Sequence, residues 1–207
     1  LHKLKGMSMK KVLALGLVAS MSAGLLTGCG GTQVKRMDAN QEVALTDKWN
    51  DKDSQLVSEE MIRDMLSFPW IRDYRRDNDG KPTVIIQRVR NKSHEHISAE
   101  TFLNDLKRSI IRSGDAKFVA SNAEREDVRS ERADQELNAR NAKQMGNETA
   151  ADFALSGSIN SFVDQVDGTR VTTYQVDLKL INMESNEEVW NGQKKLKKLQ
   201  EKSSFGW

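Results

Sequence analysis

Apolar and polar positions divide the 207-residue chain into an apolar leader, a polar connector and a series of helix-like and strand-like segments. Val12 to Leu26 is an uninterrupted run of apolar and small residues. At about 15 residues it is shorter than the roughly 20 that a spanning helix needs. Gly30 to Thr46 is polar, opens Gly-Gly and shows no sustained apolar period, which is the pattern of a tether. From Ser54 the pattern becomes helical: Val57, Met61 and Met65 recur every four residues, as do Ile62 and Leu66. Asp53 or Ser54 is the expected cap, and the helix is expected to end before Phe68-Pro69, because the residue before proline avoids the helical region. Asp77-Asn78-Asp79-Gly80-Lys81-Pro82 reads as a turn.

Thr83 to Arg90 carries Val84, Ile85, Ile86 and Val89 on both parities, the pattern of a central strand covered on both faces. Ser98 then caps a helix with Phe102, Leu103, Leu106 and Ile110 in one stripe, and Gly114 is placed to end it. Lys117 to Ala120 reads as a short strand. Residues 124–140 read as a solvated helix, dense in charge and thin in apolar residues. Ala150 to Phe162 is strand-like, with Gly157 suggesting a bulge, and Asp167-Gly168 is a hairpin signal. The cleanest alternation follows: Tyr174, Val176, Leu178 and Leu180 on one face; Thr173, Gln175, Asp177 and Lys179 on the other. Glu188-Val189-Trp190 is the expected last strand. The expected fold is α+β: one domain with a mainly antiparallel sheet of about four to five strands, flanked by helices and closing in a C-terminal β-meander.

Chemistry enters first at the leader. Lys3, Lys5, Lys10 and Lys11 precede the apolar run, and the first acidic residue is Asp38. A basic start followed by a short apolar run is the form of an export signal. It ends in Leu26-Thr27-Gly28-Cys29, a lipobox: an aliphatic residue, two small residues that admit the peptidase, and a thiol that takes the diacylglycerol. Cleavage between Gly28 and Cys29 would leave Cys29 as the S-diacylglyceryl, N-acyl first residue. The expected division is 1–28 signal peptide, 29–46 lipidated N-terminus and flexible tether, 47–198 folded domain and 199–207 C-terminal tail.

Removing the signal changes the charge. The chain holds 32 basic and 30 acidic residues; without the four leader lysines 28 face 30, so the formal +2 becomes −2. The basic character belongs to the leader and gives no support to nucleic-acid binding. Acylation of Cys29, the one cysteine, leaves no thiol for disulfides, thiolate catalysis or metal binding. His94-Glu95-His96 is the only cluster resembling a metal site, but zinc needs a third ligand and the mature chain has no further histidine. Ser156-Gly157-Ser158 lacks the surroundings of a nucleophile elbow. Trp49, Trp70 and Trp190 read as packing anchors. No convergent catalytic set is apparent, so neither an enzyme nor a cofactor, metal or small-molecule substrate is expected. A pore-forming lipoprotein would need several amphipathic runs of about 9–11 residues, and Val171–Ile181 reads as the only one.

Several segments, in order, carry a resemblance: Trp49-Asn50-Asp51-Lys52-Asp53-Ser54; Val84 to Ser93 followed by Ile97-Ser98; Ala151 to Ile159; Tyr174 to Leu180; and Glu188-Val189-Trp190. Behind a lipobox, this pattern resembles the LpoB family of penicillin-binding-protein activators, from about Trp49 to Lys198. The resemblance implies a Gram-negative outer-membrane lipoprotein facing the periplasm. It also implies a class A penicillin-binding protein, a peptidoglycan synthase, as partner, stimulated by contact and without chemistry of the activator's own. Gly30 after the cysteine is similar to lipoproteins sorted to the outer membrane. One departure bears on function: the family's familiar activator has a long, Pro-rich tether, whereas this chain has no proline before Trp49. Its 17 residues from Gly30 to Thr46 reach at most roughly 60 Å. A periplasmic adapter with a different partner is the alternative that this short reach suggests.

Overall fold

The computed structural model describes residues 46–201. Gly28, Cys29 and the expected tether up to residue 45 lie outside the described residues. Helix α1 spans Asp51–Ser67. It starts one turn before the cap expected at Asp53 or Ser54, because Asn50 caps it. Asn50 Oδ1 accepts from the Asp53 N–H at 3.0 Å, and Asp53 Oδ2 accepts from the Asn50 N–H at 2.8 Å. This reciprocal box satisfies two amides that the helix leaves free. Phe68 is extended and ends α1 as expected, but Pro69 starts a second helix, α2, Pro69–Asp77. Proline suits the first helical position, where no N–H is needed. Trp70 seals the corner: its indole N–H donates to the Met65 carbonyl at 2.7 Å, and its ring lies 4.7 Å from that of Phe153.

Strand β1 spans Thr83–Asn91, helix α3 Ala99–Ser113, strand β2 Lys117–Phe118 and helix α4 Asn122–Asn138. Strands β3 Phe153–Val166, β4 Thr169–Asn182 and β5 Glu188–Glu201 complete the chain. The sheet order is β2-β1-β3-β4-β5. β1 runs parallel to β2 and β3; β3, β4 and β5 form the antiparallel meander. The fold is therefore α+β in one domain, with most pairing in the antiparallel strands. Ser98 caps α3 by accepting from Thr101 N–H, and Gly114, at φ +69°, ends it.

Both core faces follow from the alternation. On β4, Thr172, Tyr174, Val176, Leu178 and Leu180 are buried beneath the helices. Thr173, Gln175, Asp177 and Lys179 emerge on the opposite, open face. Val57, Met61 and Met65 of α1 and Phe102, Leu106 and Ile110 of α3 close the core against Leu155, Ile159 and Trp190. The expectation that β1 is covered on both faces holds for Thr83–Ile86 and lapses beyond, where Gln87, Arg88 and Arg90 are exposed.

Two sequence expectations need correction. Gly157 is not a bulge in its own strand: β3 and β4 pair in unbroken register through Gly157↔Leu178. The irregularity lies across from it, where β1 fits Ile86 to Val89 against Leu155 to Gly157. Gly157 is required because a Cβ there would lie 2.1 Å from the Asp177 carbonyl oxygen. The last strand, expected over Glu188–Trp190, runs on to Glu201 through the Lys-rich segment and past residue 198. Its apolar period is masked by Lys194, Lys195, Lys197 and Lys198, which suit an edge strand that must not pair with strangers.

Candidate interaction surface

The residues singled out for chemistry do not converge. The His94-Glu95-His96 loop follows β1, with both histidines exposed and Glu95 turned inward. Glu95 Oε2 accepts from the Trp49 N–H at 3.2 Å, and its other oxygen accepts from the Tyr174 hydroxyl. His94 Nδ1 lies 2.5 Å from Ser161 Oγ, which also accepts from the His94 N–H at 3.0 Å. These bonds fasten the loop to the helix side of β3. Ser156 and Ser158 have the opposite parity and lie on the open face, so the imidazole and these hydroxyls occupy different sides of the sheet. Among the described residues no group of three or more histidine, cysteine or acidic side chains is arranged to hold a metal.

What Glu95 does instead is complete a buried polar lock that the sequence reading missed. Asp47 is 6% exposed. Its carboxylate accepts from Thr172 Oγ1 at 2.5 Å and faces Arg170 Nε at 2.9 Å. The Tyr174 hydroxyl contacts the Asp47 carbonyl at 3.0 Å. The Thr172 hydrogen bond outweighs burial and, with Arg170, holds the Asp47 carboxyl below its ordinary pKa. Burial, followed by the Glu95 carboxylate, pushes the Tyr174 phenol well above its ordinary pKa, so it remains a neutral donor. Trp49 packs edge-on against Tyr174 at 5.4 Å and Phe102 at 6.2 Å. The lock pins residues 47–49 to the sheet, and Lys198 reinforces it by pairing with Asp53 and donating to the Lys48 carbonyl at 2.7 Å.

The open face holds a groove of about 720 Å³. Arg88, Arg90 and Lys92 rim it on one side, Lys179 on the other, and Ser156 and Ser158 lie between. At its centre Asp177 accepts from Gln175 Nε2 at 2.9 Å, Gln193 Nε2 at 2.9 Å and Asn160 Nδ2 at 3.2 Å. The floor is thus a ladder of amides and hydroxyls around the Asp177 carboxylate; the β1 side of the rim is cationic, and on the other side Lys179 pairs with Glu188 at 3.6 Å. Such a surface can hydrogen-bond and attract an acidic partner surface; it holds no nucleophile aligned with a base.

Helix α4 stands apart. It has no buried residue, as its charge density implies. Ser121 and Glu124 form a capping box, and Lys107 Nζ binds Glu124 at 2.7 Å. The Lys107 hydrogen bond and those from Ser121 bring the Glu124 pKa down to about 2. Farther along, Arg129 and Arg132 clamp Glu148 at 2.9 and 3.0 Å, tying the helix to the loop that returns to β3.

The family model described as peptidoglycan-synthase activator LpoB matches residues 53–196. No curated protein matches the sequence. Similar solved structures include the LpoB C-terminal domain from Escherichia coli, 15% identical, covering 70% of this chain and 98% of that one, with a TM-score of 0.42. The LpoB C-terminal domain from Salmonella enterica is 11% identical, with the same coverages and TM-score. Lipoprotein GNA1162 from Neisseria meningitidis is 10% identical, covers 60% of this chain and 88% of its own, and has a TM-score of 0.39. The family model spans α1 through most of β5, and by that match the chain belongs to the family of the peptidoglycan-synthase activator LpoB.

Proposed function

We propose that this chain is a non-enzymatic regulator of peptidoglycan synthesis that binds a class A penicillin-binding protein and raises its activity by contact. The observation that carries the reading is the family match over residues 53–196. In the proposed layout, residues 1–28 are removed as a signal, Cys29 is acylated and anchors the protein to the periplasmic side of the outer membrane, and residues 29–46 tether the domain. No helix among the described residues is long and apolar enough to cross a membrane, so attachment falls to Cys29 in this layout.

The open-face groove is the proposed contact. Its amide ladder offers directional hydrogen bonds, and the cations of Arg88, Arg90 and Lys92 select an acidic patch on the synthase. The test is direct: the purified mature chain, residues 29–207, is added to a purified class A synthase and glycan polymerisation is followed. Complex formation with a raised rate supports the reading; no complex with any class A synthase overturns it.

One observation favours a second reading, an outer-membrane adapter with a different periplasmic partner. The Asp47 lock gives the tether no slack from the domain side. The reach stays within the roughly 60 Å contour of residues 30–46. Crosslinked pull-down of the full-length protein separates the two: recovery of outer-membrane components without a synthase favours the adapter.

A further inference from the structure

The β3–β4 hairpin projects beyond the core and ends in an apolar tip. Asp167 and Gly168, at φ +46° and +85°, make the tight turn. Phe162 is 59% exposed, Val166 69% and Leu199 61%. Single exposed apolar residues are ordinary, but these share one face. Phe162 and Val166 have the same parity on β3, and Val171 lies across from Asp164 between them. Val171 is in turn opposite Leu199 on β5. Direct cross-strand neighbours at such positions lie close together, so the four apolar side chains cluster on the open face of the tip around Asp164, with Glu201 at its edge.

The described chain begins at the same end of the sheet, on the helix side. Thr172, which binds Asp47, is four positions beyond Gly168. The described chain therefore starts near the hairpin end of the sheet, and the groove lies toward the other end. Ser158 in the groove is eight residues from Val166 along β3, roughly 25–30 Å at the rise of a strand.

We propose that the hairpin tip is a membrane contact: Phe162, Val166 and Leu199 seat in the headgroup region of the bilayer that carries the chain's own anchor. The proposal rests on the reading of Cys29 as the attachment point. A tether of 17 residues holds the tip near that surface at an effective concentration on the order of millimolar, so even a weak contact is occupied. Lys195 and Lys197, on the same face of β5, meet anionic phosphates. The carboxylates of Asp164 and Asp167 keep the tip at headgroup depth, since they cannot follow it into the hydrocarbon. Docked in this way, the domain stands on its hairpin, with the groove on the same open face of the sheet but set back from the tip by roughly 25–30 Å of strand. The contact fixes orientation, and the acyl chains fix location.

The experiment couples the Cys29 thiol of the mature chain to a maleimide lipid in nanodiscs of phosphatidylethanolamine and phosphatidylglycerol that carry a paramagnetic headgroup lipid. Methyl spectra are then recorded. The proposal expects the methyls of Val166, Val171 and Leu199 to lose more than half their intensity, while those of Met183 and Leu137 keep theirs. In the triple variant Phe162→Ser, Val166→Ser, Leu199→Ser, whose changes are all at exposed sites, the remaining Val171 signal recovers. Equal broadening at Val166 and Met183 overturns the proposal, as does tip broadening that depends on protein concentration in lipid-free solution, which marks a second copy as the occupant. Because the anchor is attached chemically, failure of Cys29 acylation in cells, read from the mass of the mature protein, is a separate result.

Discussion

Thr172 Oγ1 donates to Asp47 Oδ2 at 2.5 Å, joining residues 125 positions apart and pinning Asp47 to β4. Replacing Thr172 by Val keeps the shape and removes the donor, leaving a buried carboxylate short of a partner. The expected cost is about 1–3 kcal/mol, read as a lowered denaturant midpoint with unchanged slope. Thr172→Ser retains the hydroxyl and is expected to recover most of the loss. A Val variant as stable as the parent would show that the bond contributes nothing.

The acid response is expected to begin at the α4 arm. Glu124, with its pKa lowered to about 2, and Glu148, also lowered by Arg129 and Arg132, both favour the charged form in the folded protein. Groups with depressed folded pKa contribute stability above their ordinary values near 4.5 and lose it as pH falls toward the lowered ones. Asp47 follows the same sign. Amide signals of residues 122–138 are therefore expected to shift and exchange faster between about pH 4 and pH 2, with Lys107→Ala moving the onset upward. An arm unchanged at pH 2.5 would contradict this assignment of its attachment to ion pairs.

Gly157→Ala tests the close approach of β3 to β4. Its Cβ would meet the Asp177 carbonyl oxygen at 2.1 Å, against backbone that cannot move aside. A loss of about 1–3 kcal/mol, or more, is expected from such overpacking. Ser156→Ala, one residue away on the open face, is expected to stay within about 0.5 kcal/mol of the parent. Equal thermal stability of the two variants would refute the account of this glycine.

Most of the fold was legible because burial wrote itself into period. Tyr174, Val176, Leu178 and Leu180 alternate and are all buried; Phe102, Leu106 and Ile110 recur at helical spacing and fill one core. The misses have physical causes. Helix α2 was hidden because Phe68-Pro69 is both a stop for one helix and a good start for another. The length of β5 was hidden because its lysines obscure the apolar period while protecting an edge. The lock of Asp47, Glu95 and Tyr174 joins three distant segments through single polar atoms, and no local pattern announces such contacts. The open-face groove was half legible: parity places Gln175, Asp177 and Lys179 outward, but only the strand order brings Arg88 and Arg90 beside them.

The groove carries the proposed contact, so reversing its charge is informative. Arg88→Glu with Arg90→Glu alters two exposed side chains and is expected to leave the melting temperature within a few degrees of the parent. Affinity for a class A synthase is expected to fall at least tenfold, with the remaining binding less sensitive to salt. Undiminished binding by this variant would move the contact elsewhere on the domain.

The most direct measurement is the rate of glycan polymerisation by a purified class A penicillin-binding protein, with and without the mature chain at saturating concentration. The account predicts a several-fold rise with the parent chain, and with the Arg88, Arg90 double variant at the same concentration a markedly smaller one. An unchanged rate, together with no detectable complex, would contradict it.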